Sequence, residues 1–270
     1  MGSGIAAVCV RSGYQVVVND VSKDRLAGGL SWIEGYLAGE LEKGRISAEE
    51  NSAALARITS TTDISDFRDC DLVIEAVPED LELKREVFAV LDRVCPAHAI
   101  LSSTTSTIPI ADIGGTTARP DRTVGTHFLS PVPPSKLLEI VRSVQTSDET
   151  LDAVREFARS LGKEIVMAPD TPGFIFNYLL FGLSGAALEL LERGAASKED
   201  IDRTMVLGLG HPIGPLALMD FIGLDVVYLA SRAIFQRTGA PRYQPSALLK
   251  DLVDAGKLGR KTGEGFYRYA

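Results

Sequence analysis

His127 and Glu139 are the pair whose types and spacing could carry acid–base chemistry. They lie in Thr123-Val-Gly-Thr-His127-Phe-Leu-Ser130-Pro-Val-Pro-Pro-Ser-Lys-Leu-Leu-Glu139-Ile-Val141, which reads as two short apolar strands. Pro131, Pro133 and Pro134 keep the connection out of helix, because proline lacks the amide donor and restricts its predecessor to extended geometry. Placed side by side, the strands bring the imidazole to the carboxylate. One ring nitrogen is then fixed and the other is left for a substrate, as a general base requires. On residue types alone, the same pair also reads as a satisfied strand histidine beside a strand-edge acid.

The elements that must position this pair alternate between helix and strand. Gly2 to Tyr14 reads as a helix with small residues at its start and a turn at Gly13, and Val16 to Asp20 as a short apolar strand ending in an acid. A helix feeding such a strand is the second half of a dinucleotide-binding unit, in which the acid, Asp20, bonds the adenine ribose. The alternative for Asp20 is an ordinary turn acid. No arginine follows it directly, which favours NAD over NADP. No apolar strand precedes Gly2, so the first half of the unit and its leading glycines are not in the sequence.

Asp24 to Glu50 carries Leu26, Leu30, Ile33 and Leu37 at helical spacing and reads as a charged helical pair broken at Gly44. Asp71 to Val77 is a strand of the buried parallel type, and Pro78-Glu-Asp opens a helix over Leu81 to Val94. Ala99 to Ser103 is the next strand and runs into the hydroxyl-rich Ser102 to Thr107. These elements predict an α/β, Rossmann-like doubly wound parallel sheet. Ligands bind beyond the carboxyl ends of its strands, which puts Ser106 at the crevice; a strand-to-loop cap is the alternative for that hydroxyl run.

Asp148 to Leu161 reads as helix and Glu164 to Ala168 as strand. After the Pro169-Asp-Thr-Pro-Gly173 break the pattern is helical throughout. Ser197 to Asp200 is a capping box, and Gly208 to Pro215 a rigid turn between helices. The expected division is a nucleotide-binding domain over 1–169 and an all-helical C-terminal domain over 170–270. The uncharged run Thr171 to Leu188 approaches the length of a spanning helix, but Asn177, Ser184 and two glycines interrupt it and assign it to a buried helix.

With 270 residues, 45% of them hydrophobic and 24% charged, the chain has the composition of a soluble globular protein. A net charge of -8 argues against nucleic acid as a partner, which requires a basic footprint. Cys9, Cys70 and Cys95 are odd in number and lack zinc-type spacing, and no secretory signal is visible. A reduced cytoplasmic setting is expected, with no metal and no membrane partner.

The chain resembles the L-3-hydroxyacyl-CoA dehydrogenases, in particular the stand-alone 3-hydroxybutyryl-CoA form. The resemblance rests on Leu72-Val-Ile-Glu-Ala-Val-Pro-Glu79, Ser103-Thr-Thr-Ser-Thr107, His127-Phe-Leu-Ser-Pro131, Asp170-Thr-Pro-Gly-Phe-Ile-Phe-Asn177, Leu207-Gly-Leu-Gly-His-Pro-Ile-Gly-Pro215 and Gly259-Arg-Lys-Thr-Gly-Glu-Gly-Phe-Tyr267, in order along nearly the whole chain. It implies NAD-dependent interconversion of a 3-hydroxyacyl-CoA and its 3-oxo form. His127 would exchange the proton of the 3-hydroxyl and Glu139 would orient the ring. Ser106 would bond the substrate hydroxyl near the nicotinamide, and Asn177 would bond the substrate. Cofactor contacts would come from Gly2, Asp20, Glu79, Lys84, Ser106, Ser130 and Lys261, and a coenzyme A contact from Lys43. The helical domain would form a homodimer.

On residue types alone, Glu79 and Asp80 also read as helix N-terminal acids, Lys84 as their solvated neighbour, Lys261 as a surface charge and Asn177 as a helix-packing amide. Two positions depart from the family pattern, which usually has asparagine at Thr104 and often at Ser130. Gly2 aligns with the last glycine of the family's Gly-x-Gly-x-x-Gly loop, so Met1 is expected to be an internal methionine of a longer reading frame. Two other readings stay open: a dehydrogenase of a small free hydroxy or sugar acid, as in the gulonate dehydrogenase and lambda-crystallin group, and a non-catalytic homologue.

Overall fold

The computed structural model describes residues 1–269. The chain divides after Asp170 into two compact units. Unit 1 runs α1 (Gly2–Arg11), β1 (Val16–Asn19), α2 (Lys23–Glu42), α3 (Ala48–Ala56), β2 (Ile58–Thr61), β3 (Leu72–Glu75), α4 (Leu81–Val94), β4 (Ile100–Ser103), α5 (Ile110–Gly114), β5 (Thr123–Phe128), β6 (Leu137–Arg142), α6 (Asp148–Ser160) and β7 (Glu164–Pro169). It is the expected α/β unit with parallel pairing dominant, and two features of its ladders were not read from the sequence.

First, the strands form two sheets, β1–β2 and β3-β4-β5-β6-β7, with no ladder between β1 and β3 among the described residues. Second, β5 and β6 pair antiparallel, whereas the other pairs are parallel. Residues 129–136 are too few for a parallel crossover, which takes about a dozen residues or more, so β6 folds back beside β5. The Ser130–Pro131 bond within this connection is cis. Strand β2 was not predicted. Ile58-Thr-Ser-Thr61 offers only one apolar residue, and its assignment comes from parallel pairing with β1 across the α2–α3 crossover.

Both faces of the larger sheet are covered. Successive residues of β4 point to opposite sides, so Ile100 joins a core with Ile5, Val8, Phe128, Leu138, Leu151 and Val154, and Leu101 joins another with Phe88, Leu91 and Ile113. Each such fully buried side chain contributes about 1.5–3 kcal/mol. Gly125 lets α5 lie against β5, since a Cβ there would come within 2.7 Å of Val141 Cβ and 2.9 Å of Ile110 Cδ1.

Unit 2 contains α7 (Phe176–Glu192), α8 (Lys198–Leu209), α9 (Pro215–Ile222), α10 (Leu224–Thr238) and α11 (Ala247–Asp254). Helix α7 buries Asn177, Phe181, Ser184 and Leu188 on one stripe and leaves Leu179 66% exposed, so the run is not buried all round. No helix among the described residues is long and apolar enough to cross a membrane. The Ser197 hydroxyl accepts from Asp200 N and caps α8, which stops at left-handed Gly210. Two buried acids hold unit 2 together. Asp202 accepts from the amides of Leu216 and Ala217 and from the Tyr267 hydroxyl, while Asp220 accepts from the amides of Phe266 and Tyr267 and from the Tyr269 hydroxyl.

Candidate active site

Antiparallel pairing sets His127 opposite Glu139 in the β5–β6 register. Both are buried, at 3% and 1% exposure, and Nδ1 lies 2.7 Å from Glu139 Oε2. A carboxylate only accepts, so beside it the neutral tautomer of the ring is the one with its proton on Nδ1 and its lone pair on Nε2. Ser106 Oγ stands 3.1 Å from Nε2. The hydroxyl, imidazole and carboxylate form one hydrogen-bonded chain at the carboxyl end of β4 and β5. Such a chain can activate the serine as a nucleophile, or it can exchange a proton with a substrate hydroxyl that meets Nε2 beside the serine.

Ser106 is held from below. Glu79 Oε1 accepts from Thr105 Oγ1 at 2.7 Å, Ser106 N at 3.0 Å, Thr107 N at 2.8 Å and Thr107 Oγ1 at 2.9 Å. Burial raises the Glu79 carboxyl, but the Lys84 ammonium and these donors outweigh it and hold it below the usual glutamate range. Lys84 Nζ lies 3.5 Å from Glu79 Oε2, 2.8 Å from Glu75 Oε1 and 3.2 Å from Val77 O. Glu75 in turn accepts from Val77 N and Ser103 Oγ, each at 2.6 Å, tying the end of β3 to the end of β4.

This arrangement corrects two readings made from residue types. Lys84 is 1% exposed and is not a solvated neighbour. Asp80 does cap α4, accepting from Leu83 N at 2.9 Å, whereas Glu79 turns away to the 105–107 segment. Glu75, Ser103, Thr105 and Thr107 were not identified from sequence. The available signal was an acid at the end of an apolar strand, a position that burial makes costly without a partner.

The remaining predicted residues lie elsewhere. Gly2 opens α1, whose first turn has no acid and no side-chain cap, and an ideal Cβ on Gly2 would lie 3.8 Å from Ala76 Cβ, just past β3. Half-buried Asp20 follows β1, with Oδ1 accepting from Val21 N at 2.7 Å. Uncapped amides at one strand end and a carboxylate at another fit the pyrophosphate and ribose of a dinucleotide. Ser130 is exposed on the β5–β6 connection. Thr104 Oγ1 accepts from Phe128 N at 3.4 Å, a main-chain bond of the kind an amide could also make. Lys43 sits at the end of α2, 60% exposed and 3.8 Å from Glu40. In unit 2, Asn177 lies in the first turn of α7 at 8% exposure, just after Gly173 and Phe174, both with positive φ. A buried phenylalanine at φ 50° is an uncommon backbone state, and it fixes how the chain enters α7. Lys261 Nζ is 2.5 Å from Asp225 Oδ1.

Sequence models of one family cover both units: 3-hydroxyacyl-CoA dehydrogenase, NAD binding domain, over residues 1–171, and 3-hydroxyacyl-CoA dehydrogenase, C-terminal domain, over 173–269. A 3-hydroxybutyryl-CoA dehydrogenase of Bradyrhizobium diazoefficiens is 42% identical over 269 residues, covering 100% of this chain and 92% of its own. The human mitochondrial hydroxyacyl-coenzyme A dehydrogenase is 41% identical, with 100% and 88% covered. Among solved structures, FadB2 of Mycobacterium tuberculosis superposes with a TM-score of 0.97 at 42% identity, covering 100% of this chain and 95% of that one. The chain belongs to the 3-hydroxyacyl-CoA dehydrogenase family and is an NAD-dependent dehydrogenase.

Proposed function

We propose that this chain interconverts (S)-3-hydroxyacyl-CoA and 3-oxoacyl-CoA with His127 as the acid and base. The observation that carries the proposal is the Ser106–His127–Glu139 chain of hydrogen bonds in a member of this family. In the oxidative direction Nε2 takes the proton of the substrate's 3-hydroxyl, and the buried Glu139 carboxylate stabilises the imidazolium that forms. In reduction Nε2 returns that proton to the 3-oxo oxygen. Ser106 Oγ, beside Nε2, shares the substrate oxygen and fixes which side of it the imidazole meets. NAD, when bound, supplies the hydride chemistry at its nicotinamide. Gly2, Asp20, Glu79, Ser130 and Lys261 are assigned to holding the cofactor, with Lys84 acting on it through Glu79. Asn177 and Lys43 are assigned to the acyl and coenzyme A parts of the substrate.

The relatives named for 3-hydroxybutyryl-CoA support an acyl-CoA substrate in preference to a free acid. A homodimer through unit 2 fits the exposed Leu179, Leu207, Leu209 and Leu229 on its helices, and a cytoplasmic setting fits the unpaired cysteines. NADH consumption with acetoacetyl-CoA, compared with free 3-oxo acids, tests the reading. Turnover confined to the thioester is expected, and preferential turnover of free acids would overturn it.

A further inference from the structure

We propose that Glu79 is a positioning residue that acts through Ser106 to set the Ser106–His127 contact, in addition to any contact it makes with the cofactor. The proposal rests on the catalytic reading above. Four donors of Thr105, Ser106 and Thr107 converge on one oxygen of Glu79, within 2.7–3.0 Å. Two are main-chain amides on either side of the Thr105–Ser106 junction and the Ser106–Thr107 junction, so this oxygen fixes the backbone that carries the Ser106 hydroxyl. The same hydroxyl reaches His127 Nε2 at 3.1 Å.

The brace has a rigid base. Glu79 Oε2 faces Lys84, which is 1% exposed and is itself locked by Glu75 Oε1 and the Val77 carbonyl. Glu75 is bonded to Ser103, two residues before Thr105 on the same strand-to-loop segment. Thr105 Oγ1 also accepts from Ile108 N at 3.0 Å, and Thr105 N donates to Ser103 Oγ at 3.1 Å, so the segment closes on itself around the carboxylate. The side chain of Glu79 is nevertheless 38% exposed, with the carboxylate gripping the turn through one oxygen while the residue stays open to the crevice. A group built only to touch a ligand would not need four internal donors on one atom. A group built only for folding would not need to end on the residue that meets the imidazole. Because a misplacement of about 1 Å can cost about a hundredfold in rate, the brace acts on turnover more than on binding.

The test is a double-mutant cycle between Glu79 and Ser106, read with NADH and acetoacetyl-CoA and by amide hydrogen exchange. Glu79→Gln keeps the shape but removes the charge. Its kcat is expected to fall at least tenfold with the KM for acetoacetyl-CoA within about threefold, on the scale of lost bonds to a charged acceptor. In a Ser106→Ala background the same change should alter kcat by less than about twofold, because the hydroxyl it positions is gone. Equal factors in both backgrounds, or an effect confined to the KM for NADH, would reduce Glu79 to a cofactor contact and overturn the proposal. Thr107→Val removes one of the four bonds without changing shape. It should give a smaller kcat loss that also vanishes in Ser106→Ala, which keeps the test alive if Glu79→Gln folds poorly. Exchange of the Ser106 and Thr107 amides should be slow in the parent and faster in Glu79→Gln, and unchanged exchange sinks the brace. That measurement needs no substrate. A parent without thioester turnover would therefore count against the proposed function alone, while exchange would still decide the brace.

Discussion

Unit 1 and unit 2 each hold carboxylates through several internal donors, yet the acids do opposite work. In unit 2, Asp202 and Asp220 accept from backbone amides and tyrosine hydroxyls. An amide never gives up its proton at physiological pH, and burial followed by the bond to Asp220 pushes the Tyr269 hydroxyl up to about 12, so its proton is fixed as well. In unit 1, Glu139 accepts from an imidazole, a group able to exchange protons near neutrality, and Glu79 accepts from the segment that carries Ser106. The lesson is that burial of an acid does not identify a site. The mobility of the proton it holds does, together with the residue at the far end of the chain of bonds.

Substitutions should separate the two kinds of acid. His127→Gln removes the ring nitrogen proposed to exchange the substrate's proton. It should cut turnover about a thousandfold or more, with a thermal midpoint close to the parent's. Near-normal rates in that variant would end the comparison. Glu139→Gln leaves the ring in place but withdraws the charge 2.7 Å from Nδ1. A loss of about a hundredfold in kcat is expected, with a pH–rate profile displaced from the parent's, and an unmoved profile would remove Glu139 from its orienting role. Asp220→Asn should do the reverse. It turns an acceptor for three donors into a group with donors of its own, at 1% exposure, costing about 2 kcal/mol in urea unfolding while kcat per folded molecule stays within about twofold.

Much of this contrast was legible in the sequence, but unevenly. His127 and Glu139 could be paired because the prolines keep their connection out of helix and two short strands so joined can lie side by side, and Ser106 could be placed because ligands gather beyond strand ends. The antiparallel turn of β6 followed from a short connection but was not drawn from it. Strand β2 escaped because its identity comes from pairing with β1 rather than from its own residues. The Glu75–Lys84–Glu79 cluster escaped for a related reason. Charged residues near a helix start look solvated in one dimension, and only the approach of β4 to β3 encloses Glu75 and Lys84. Asp202 and Asp220 were equally silent, since the partners of Asp202 lie 14, 15 and 65 residues away in sequence and those of Asp220 46–49.

The two regions should also give way at opposite ends of the pH scale. Glu79 is held below its ordinary value of 4.5. A depressed carboxyl contributes fully above that value, and its contribution is lost as pH falls through the lower folded value, so the brace persists through neutral and mildly acid conditions. Tyr269 is held above its ordinary value of 10.0, at about 12. Between those values the unfolded chain has released the phenolic proton while the folded chain keeps it. The folded state therefore binds more protons, and stability falls as pH rises. The urea midpoint should decline between about pH 10 and about pH 12. Tyr269→Phe, which has no proton to lose, should start lower and decline less steeply. An identical slope in the two proteins would place the alkaline weakness outside the Asp220 clamp, and would leave Asp220 as a staple for the Phe266 and Tyr267 amides alone.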